Sequence, residues 1–338
     1  MKMKGADMWI GMTVLAVAVS LLPIPTSHAQ KPAGMSRVGW LEVCGPGPRR
    51  PNLEIFRGRL AELGYVEGKN LIIEQRFADC SYERMPGLAT ELAQVPVDVL
   101  FTMGTRASRI VAETVKSTPL VVYSCDPFEH VTRLARGRGN LTGVTCMTTE
   151  LSPKRLELLH EAVPKASRVM FLHDPQAAPN AWKLTQEAAP RLGITLEQAQ
   201  VGAAEELLPE LTMIEKERPD ALFVYPDVVL SSYPRPQQLA EFALKARLPM
   251  MNAFRFFADA GGLMTYGATA SEIYKSAAEH VAKVLGGARP SELPLREATR
   301  FELVINNWTA KALGITIPPS LLVRADEVIE SPPPFATH

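Results

Sequence analysis

The chain has 338 residues with 36 basic and 36 acidic side chains, and 46% of its residues are hydrophobic. This composition is typical of folded globular proteins and leaves room for about two domains. A balanced charge lacks the basic excess that nucleic-acid binding requires, and four cysteines are too few for a small disulfide-built scaffold.

The N-terminal residues predict an export signal. Lysines at positions 2 and 4 precede the mainly apolar run 9–22, and Ser27-His28-Ala29 places small residues before a cleavage point. This run would span about 21 Å as a helix, short of the roughly 30 Å core of a bilayer. No cysteine directly follows the run, so a lipid anchor has no attachment point. We expect cleavage after Ala29 and a soluble periplasmic protein rather than a membrane anchor.

The first half of the remaining chain alternates predicted strands with predicted helices. Leu53, Phe56 and Leu60 recur at helical spacing, and the apolar run 97–103 is typical of a strand buried on both faces. The predicted strands are 36–43, 70–77, 97–103, 120–123 and 141–146. The predicted helices are 52–63, 84–93, 105–116 and 129–135.

A second alternating series follows the connector 151–153, where Pro153 suits the first turn of a helix. Its predicted strands are 168–173, 195–201, 221–225, 249–252 and 262–266, and its predicted helices are 154–162, 180–192, 204–216 and 237–246. A long helix (271–285), a strand (301–305) and two shorter helices come next, before a tail at 331–338 that we expect to be flexible. The fold class we predict is α/β, with two Rossmann-like lobes of mainly parallel sheet that face each other across a cleft.

The four cysteines follow the ends of predicted strands. Neighbouring strand ends favour the pairs Cys44–Cys80 and Cys125–Cys146 in an oxidising compartment. Free buried thiols and a soft-metal cluster remain alternatives, since four cysteines allow three pairings.

The sequence lacks the common catalytic signatures. We find no GxSxG, HExxH or GxxxxGK[ST] motif, and the six histidines never pair at metal-ligand spacing. We therefore expect no enzyme activity, no cofactor and no metal site.

Candidate ligand-binding residues follow the strand ends, where open parallel sheets hold their ligands. Thr105 opens a helix whose N–H groups could hold a carboxylate, although it could also be a plain cap. Asp126 and Asp227 could meet a cationic or hydroxyl group, and Asp126 could instead cap the next turn. The other candidates at this edge are Asp174, Tyr225, Phe254 and Tyr266, of which the three aromatic side chains could stack on a flat ligand.

Four segments resemble the ABC transporter substrate-binding protein family associated with tryptophan and tyrosine uptake: 63–70 (LGYVEGKN), 151–164 (LSPKRLELLHEAVP), 261–267 (GGLMTYG) and 301–330 (FELVINNWTAKALGITIPPSLLVRADEVIE). The resemblance implies a type I periplasmic binding protein with a three-segment hinge. Where the family commonly reads Ala-Gly-Thr-Pro, Arg106 replaces proline after Thr105. Cys125 replaces the usual glycine before Asp126-Pro127, and Asp174 replaces asparagine before Pro175. Because of these differences near the cleft, the resemblance does not establish an aromatic amino acid as the ligand.

The resemblance implies a periplasmic solute-binding component of an ABC importer. It would act as a monomer that closes over a small, amino-acid-like or other organic solute and delivers it to an inner-membrane permease. We expect one lobe to comprise 30–148 and 269–298, and the other 149–268 and 299–330. The alternatives are a sensing subunit for a membrane receptor and, less favoured, a two-lobed enzyme such as a racemase with one cysteine from each lobe.

Overall fold

A computed structural model describes residues 34–45, 51–125, 135–136 and 139–337 of the chain. The predicted signal segment 1–29 lies outside these residues, as does most of the predicted helix 129–135. None of the helices within the described ranges is long and apolar enough to span a membrane.

The described residues form strands and helices in near-regular alternation. The strands are β1 (Ser36–Glu42), β2 (Leu71–Phe77), β3 (Val99–Met103), β4 (Leu120–Ser124), β5 (Leu141–Thr145), β6 (Arg168–His173), β7 (Thr195–Gln200), β8 (Ala221–Val224), β9 (Met250–Asn252), β10 (Met264–Ala268), β11 (Arg296–Glu297), β12 (Phe301–Asn306) and β13 (Glu327–Ile329). The helices are α1 (Pro51–Glu62), α2 (Met85–Gln94), α3 (Thr105–Thr114), α4 (Ser152–Ala162), α5 (Pro179–Ala188), α6 (Leu207–Glu217), α7 (Val228–Ser231), α8 (Arg235–Lys245), α9 (Arg255–Asp259), α10 (Ala270–Leu285), α11 (Asn307–Leu313) and α12 (Pro319–Arg324). Short 3₁₀ turns cover Tyr82–Arg84, Ala189–Leu192, Ala204–Glu206, Pro290–Glu292 and Pro334–Thr337.

The strands build two separate sheets, which confirms the predicted two-lobed α/β fold. The first has the order β11-β5-β4-β3-β1-β2 and is parallel at every pairing. The second has the order β13-β12-β10-β9-β8-β6-β7 and is parallel except between β10 and β12. The sequence pattern did not predict the short strands β11, whose two side chains are exposed, and β13, whose side chains are partly exposed, because neither contains an apolar run.

Each sheet is covered by apolar side chains on both faces. Along β1, Val38 and Trp40 pack into one buried cluster while Leu41 packs into another. Along β6, Phe171 and Leu172 likewise enter clusters on opposite faces of the second sheet. Burial on both faces explains why the central strands are almost wholly apolar and why helices flank each sheet.

The chain passes between the lobes three times, as the family resemblance implies. The first passage runs from β5 to α4, and the second joins β10 to α10, which packs on the first lobe. The third joins β11 of the first sheet to β12 of the second. These three passages of the chain together form a hinge about which the lobes can close.

A buried cation ties two of these hinge segments together. Arg155, on α4, is fully buried, and its Nη1 donates to the carbonyl of Tyr266 at 3.1 Å. Its Nη2 donates to the carbonyl of Thr148 and, at 3.0 Å, to Ser152 Oγ. Burial lowers the pKa of Arg155 to about 10, so the guanidinium stays charged at neutral pH. Arg155 therefore fixes the starting points of both segments.

Candidate functional site

A cleft of about 750 Å³ lies between the two lobes. Its walls come from residues at and beyond the carboxyl ends of strands in both sheets, where α/β folds bind their ligands. Four of the predicted site residues line this cleft: Thr105, Tyr225, Asp227 and Phe254. Two others, Asp174 and Tyr266, do not line it. Asp126 lies outside the described residues.

The first lobe presents the N-terminus of helix α3 to the cleft. Gly104 follows β3 with φ of 94° and donates its N–H to the carbonyl of Tyr123 at 2.8 Å. The next N–H groups, beginning at Thr105, open the helix and have no carbonyl of an earlier turn to bond. They carry partial positive charge, and the Thr105 hydroxyl lies beside them. This arrangement suits a carboxylate.

The second lobe presents the carboxyl group of Asp227, one residue before α7. Its Oδ1 accepts the N–H of Leu230 at 2.9 Å and caps the helix. Its Oδ2 is buried and finds no hydrogen-bond partner within the described ranges, although Asp227 lines the cleft. Burial, supported by the nearby charge of Asp174, raises the pKa of Asp227 to about 7. An ammonium group in the cleft would satisfy this oxygen and favour its ionised form.

These two polar features face each other across one close contact between the lobes. A Cβ built on Gly104 would overlap Cγ2 of Val228, the residue after Asp227. Val229 is fully buried in an apolar cluster that otherwise belongs mainly to the first lobe. The lobes are therefore in contact here, with the α3 N-terminus on one side and the Asp227 carboxylate on the other.

Charged groups join the lobes beside this contact. Arg106 Nη1 lies 3.5 Å from Oδ2 of Asp174, which is fully buried, and donates to the carbonyl of Gly202 at 3.4 Å. The Arg106 guanidinium also lies 4.0 Å from the ring centroid of Tyr82. Arg109 donates to the carbonyl of Gln176. Asp174 thus pairs with the opposite lobe instead of lining the cleft.

Tyr225 also lies where the lobes meet. Its hydroxyl is 2.9 Å from Oγ1 of Thr149, which donates to the carbonyl of Cys125 at 2.8 Å. Tyr225 is almost fully buried, so it forms the floor of the cleft rather than an open stacking platform.

The predicted disulfide pairing is confirmed. Cys44 bonds Cys80 and Cys125 bonds Cys146, so all four cysteines are paired. Cys44 and Cys125 line the cleft, and Arg235 of the second lobe donates to Cys80 Sγ at 3.6 Å. Disulfide sulfurs cannot act as thiolate nucleophiles, so the racemase alternative is wrong.

An aromatic wall that the sequence did not single out completes the first-lobe side of the cleft. Trp40, Tyr123 and Tyr274 line it, with the Tyr274 ring stacked 6.5 Å from Trp40 and edge-on to Tyr123 at 5.7 Å. Burial raises the pKa of both tyrosines above their usual range, so they stay neutral. Trp40 lies within an apolar strand, and Tyr274 lies on a helix far away in the sequence. The hydrophobic pattern around each residue therefore predicts that it is buried in a core and does not mark it as part of a cleft.

Tyr266, by contrast, belongs to the hinge. Its ring lies 6.4 Å from that of Phe301, and its carbonyl accepts from Arg155. The described ranges hold no group of three or more His, Cys, Asp or Glu side chains that could bind a metal ion.

Comparison with known proteins identifies the family. Residues 53–329 match the family of ABC transporter substrate binding proteins. The chain belongs to this family. As a member, it is a non-enzymatic solute-binding component of an ABC transporter.

Three similar proteins illustrate the relationship. The tyrosine-binding protein of Clostridioides difficile (strain R20291) is 21% identical over 266 residues, which are 77% of this chain and 75% of that protein. A conserved domain protein of Vibrio cholerae has 24% identity and a TM-score of 0.78, covering 87% of this chain and 99% of that chain. An ABC domain from Streptococcus pneumonia in complex with L-Trp has 21% identity and a TM-score of 0.75, covering 88% of this chain and all of that chain. Both structures show the same fold.

Proposed function

We propose that this substrate-binding protein works in the periplasm as the solute-capturing subunit of an importer. It closes its lobes around an aromatic solute that carries an amino group and a carboxylate, and it presents the closed form to the permease. The site residues are Thr105 with the α3 N-terminus, Asp227, and the aromatic wall.

The unpartnered, buried oxygen of Asp227 carries this proposal. A buried carboxylate oxygen without a hydrogen-bond donor is costly, and a ligand ammonium would remove that cost. The α3 N-terminus lies just across the Gly104–Val228 contact and favours the opposite charge. An amino acid has these two charges on neighbouring atoms, so it can bridge the two groups.

The aromatic wall favours a flat apolar side chain. Trp40, Tyr123 and Tyr274 pack against one another at distances typical of aromatic pairs and together line one side of the cleft with apolar aromatic surface. The C. difficile relative is a tyrosine-binding protein, and the S. pneumonia structure holds L-Trp. Both names agree with an aromatic amino acid as the solute here.

Matched analogues test the two charged contacts separately. The oxidised chain without residues 1–29 is titrated with L-tryptophan, L-tyrosine, tryptamine, which lacks the carboxylate, and indole-3-propionate, which lacks the amino group. We expect the amino acids to bind at least tenfold more tightly than either analogue, since a charged hydrogen bond contributes about 1.5–3 kcal/mol. At 100 times its Kd, the solute should stabilise the fold by about 2.7 kcal/mol.

Variants assign the contacts to residues. Asp227→Asn should weaken L-tryptophan at least tenfold and leave indole-3-propionate unchanged, because only the amino group meets Asp227. Thr105→Ala should have a smaller effect, because the backbone N–H groups remain. Glu215→Gln, an exposed carboxylate on α6, is the control. Equal binding of L-tryptophan and indole-3-propionate would contradict the role given to Asp227.

A further inference from the structure

The C-terminal tail lies against the second lobe beside the cleft. The family match ends at residue 329, the last residue of β13, so the tail follows the matched part of the chain. From there the chain turns back to α9. Pro334 lines the cleft together with Phe256, Asp259 and Ala260.

Specific packing holds the tail in this place. Pro333 is buried, and Phe335 packs against the apolar cluster that contains Phe257 and Ala260. A Cβ built on Gly261 would lie 3.2 Å from both Pro333 Cγ and Phe335 Cε1, so the two rings rest directly on that glycine. Gly261 has φ of 113°, which excludes most side chains and keeps the backbone surface open to the tail.

The tail sequence is suited to a rigid wall. Residues 332–334 are three consecutive prolines, whose fixed φ leaves little conformational entropy to lose on packing. A 3₁₀ turn follows, in which Ala336 N–H donates to the carbonyl of Pro333 at 2.9 Å. The turn holds Phe335 against the core, and Pro334 lines the cleft.

We infer that the C-terminal segment 331–337 is a wall of the solute cleft and helps to select the solute. The inference rests on the proposed function, since it assumes that the cleft binds a solute. Pro334 lines the same cleft as Phe254 and Phe256, whose rings stack 5.7 Å apart, so the tail adds an apolar residue to an apolar part of the lining. Proline and phenylalanine together offer apolar contact to an aromatic ring, so the tail favours aromatic over small polar solutes.

The first experiment asks whether the tail packs in solution. Hydrogen exchange is compared between the chain without residues 1–29 and the same chain ending at Glu330. We expect the amides around Gly261 to exchange more slowly in the longer chain. Equal exchange would mean that the tail does not cover this surface, and it would overturn the inference whatever the solute.

The second experiment asks whether the packed tail affects binding. Kd for L-tryptophan and L-tyrosine is measured for the full tail, the truncation, Phe335→Ala and the control Val323→Ala, an apolar residue that is 85% exposed on α12. Removing the tail or the Phe335 ring should raise both Kd values about fivefold, the effect of losing roughly one apolar contact. The control should match the parent. Unchanged Kd values in the truncated chain would overturn the inference.

A separate probe distinguishes failure of the tail from failure of the solute class. If neither amino acid binds the full-tailed chain, the proposed solute class is wrong. The tail is then judged with the aromatic dye bis-ANS, which binds apolar clefts without mimicking an amino acid. A dye affinity that falls on truncation and stays unchanged in Val323→Ala would still support the wall, whereas equal affinities would refute it.

Discussion

Replacing Gly104 with alanine tests whether the lobes must touch beside α3 for a solute to be held. The backbone there has φ of 94° and ψ of 144°, a region almost restricted to glycine. Alanine in such a conformation costs about 1–3 kcal/mol in the folded state, whether the lobes are apart or together.

The new methyl group also has an effect that belongs to the closed form alone. It would overlap Cγ2 of Val228, which comes from the opposite lobe. Overpacking of this kind costs about 1–3 kcal/mol, and it disappears when the lobes separate. Gly104→Ala should therefore raise Kd for the solute by about 5- to 150-fold. The same substitution should lower the free energy of unfolding only by the backbone cost.

Calorimetric titration gives Kd, and urea unfolding gives the stability of each variant. The double variant Gly104→Ala/Val228→Ala is the matched control, because it keeps the backbone strain and removes the overlap. It should recover most of the lost affinity and none of the lost stability. If Gly104→Ala binds as tightly as the parent, or if the double variant recovers nothing, contact at Val228 is not required for closure.

Three further predictions concern the charged and cross-linked groups. Because burial raises the pKa of Asp227 to about 7, affinity for an ammonium-bearing solute should fall about tenfold per pH unit below that value. The solute-free protein should lose stability as the pH rises from about 4 to 7, because the raised pKa lets the native state keep a proton on Asp227 that the unfolded chain releases. An unchanged pH dependence in Asp227→Asn would contradict both statements. Arg155→Met leaves buried carbonyl groups without hydrogen-bond donors, so it should lower the free energy of unfolding, measured with urea, by about 3 kcal/mol. A decrease below about 1 kcal/mol would show that Arg155 does not tie the hinge segments together. Replacing both Cys125 and Cys146 with alanine should lower the free energy of unfolding by about 3 kcal/mol, because their disulfide joins residues 21 positions apart. Equal melting temperatures of the variant and the parent would rule out a stabilising role for this disulfide.

The sequence predicted the fold well because its strongest signals are local. The apolar run that became β3 and the helical spacing of Leu53, Phe56 and Leu60 each depend on residues close in the chain. The disulfide pairs were predictable for a related reason, since adjacent parallel strands bring their carboxyl ends to one edge. Local rules were enough wherever the partner lay on a neighbouring strand.

The candidate site was only partly predictable, because its walls meet through tertiary contacts. Thr105 and Asp227 were found from strand ends, but the reason that Asp174 faces Arg106 lies in how the lobes meet. Trp40 and Tyr274 are more than 200 residues apart, and each fits an ordinary core pattern. No periodicity marks a residue as lining a cleft that forms only between two lobes.

The interleaved path of the chain also determines when each lobe can fold. The first sheet lacks its edge strand β11, and its core lacks helix α10, until the chain has been made beyond residue 297. Before then, the first 145 residues would expose the apolar face that α10 covers. Closing so long a loop is entropically costly and slow. The first lobe is therefore completed only after residue 297 has been made, and the second sheet is completed only when β12 and β13 follow.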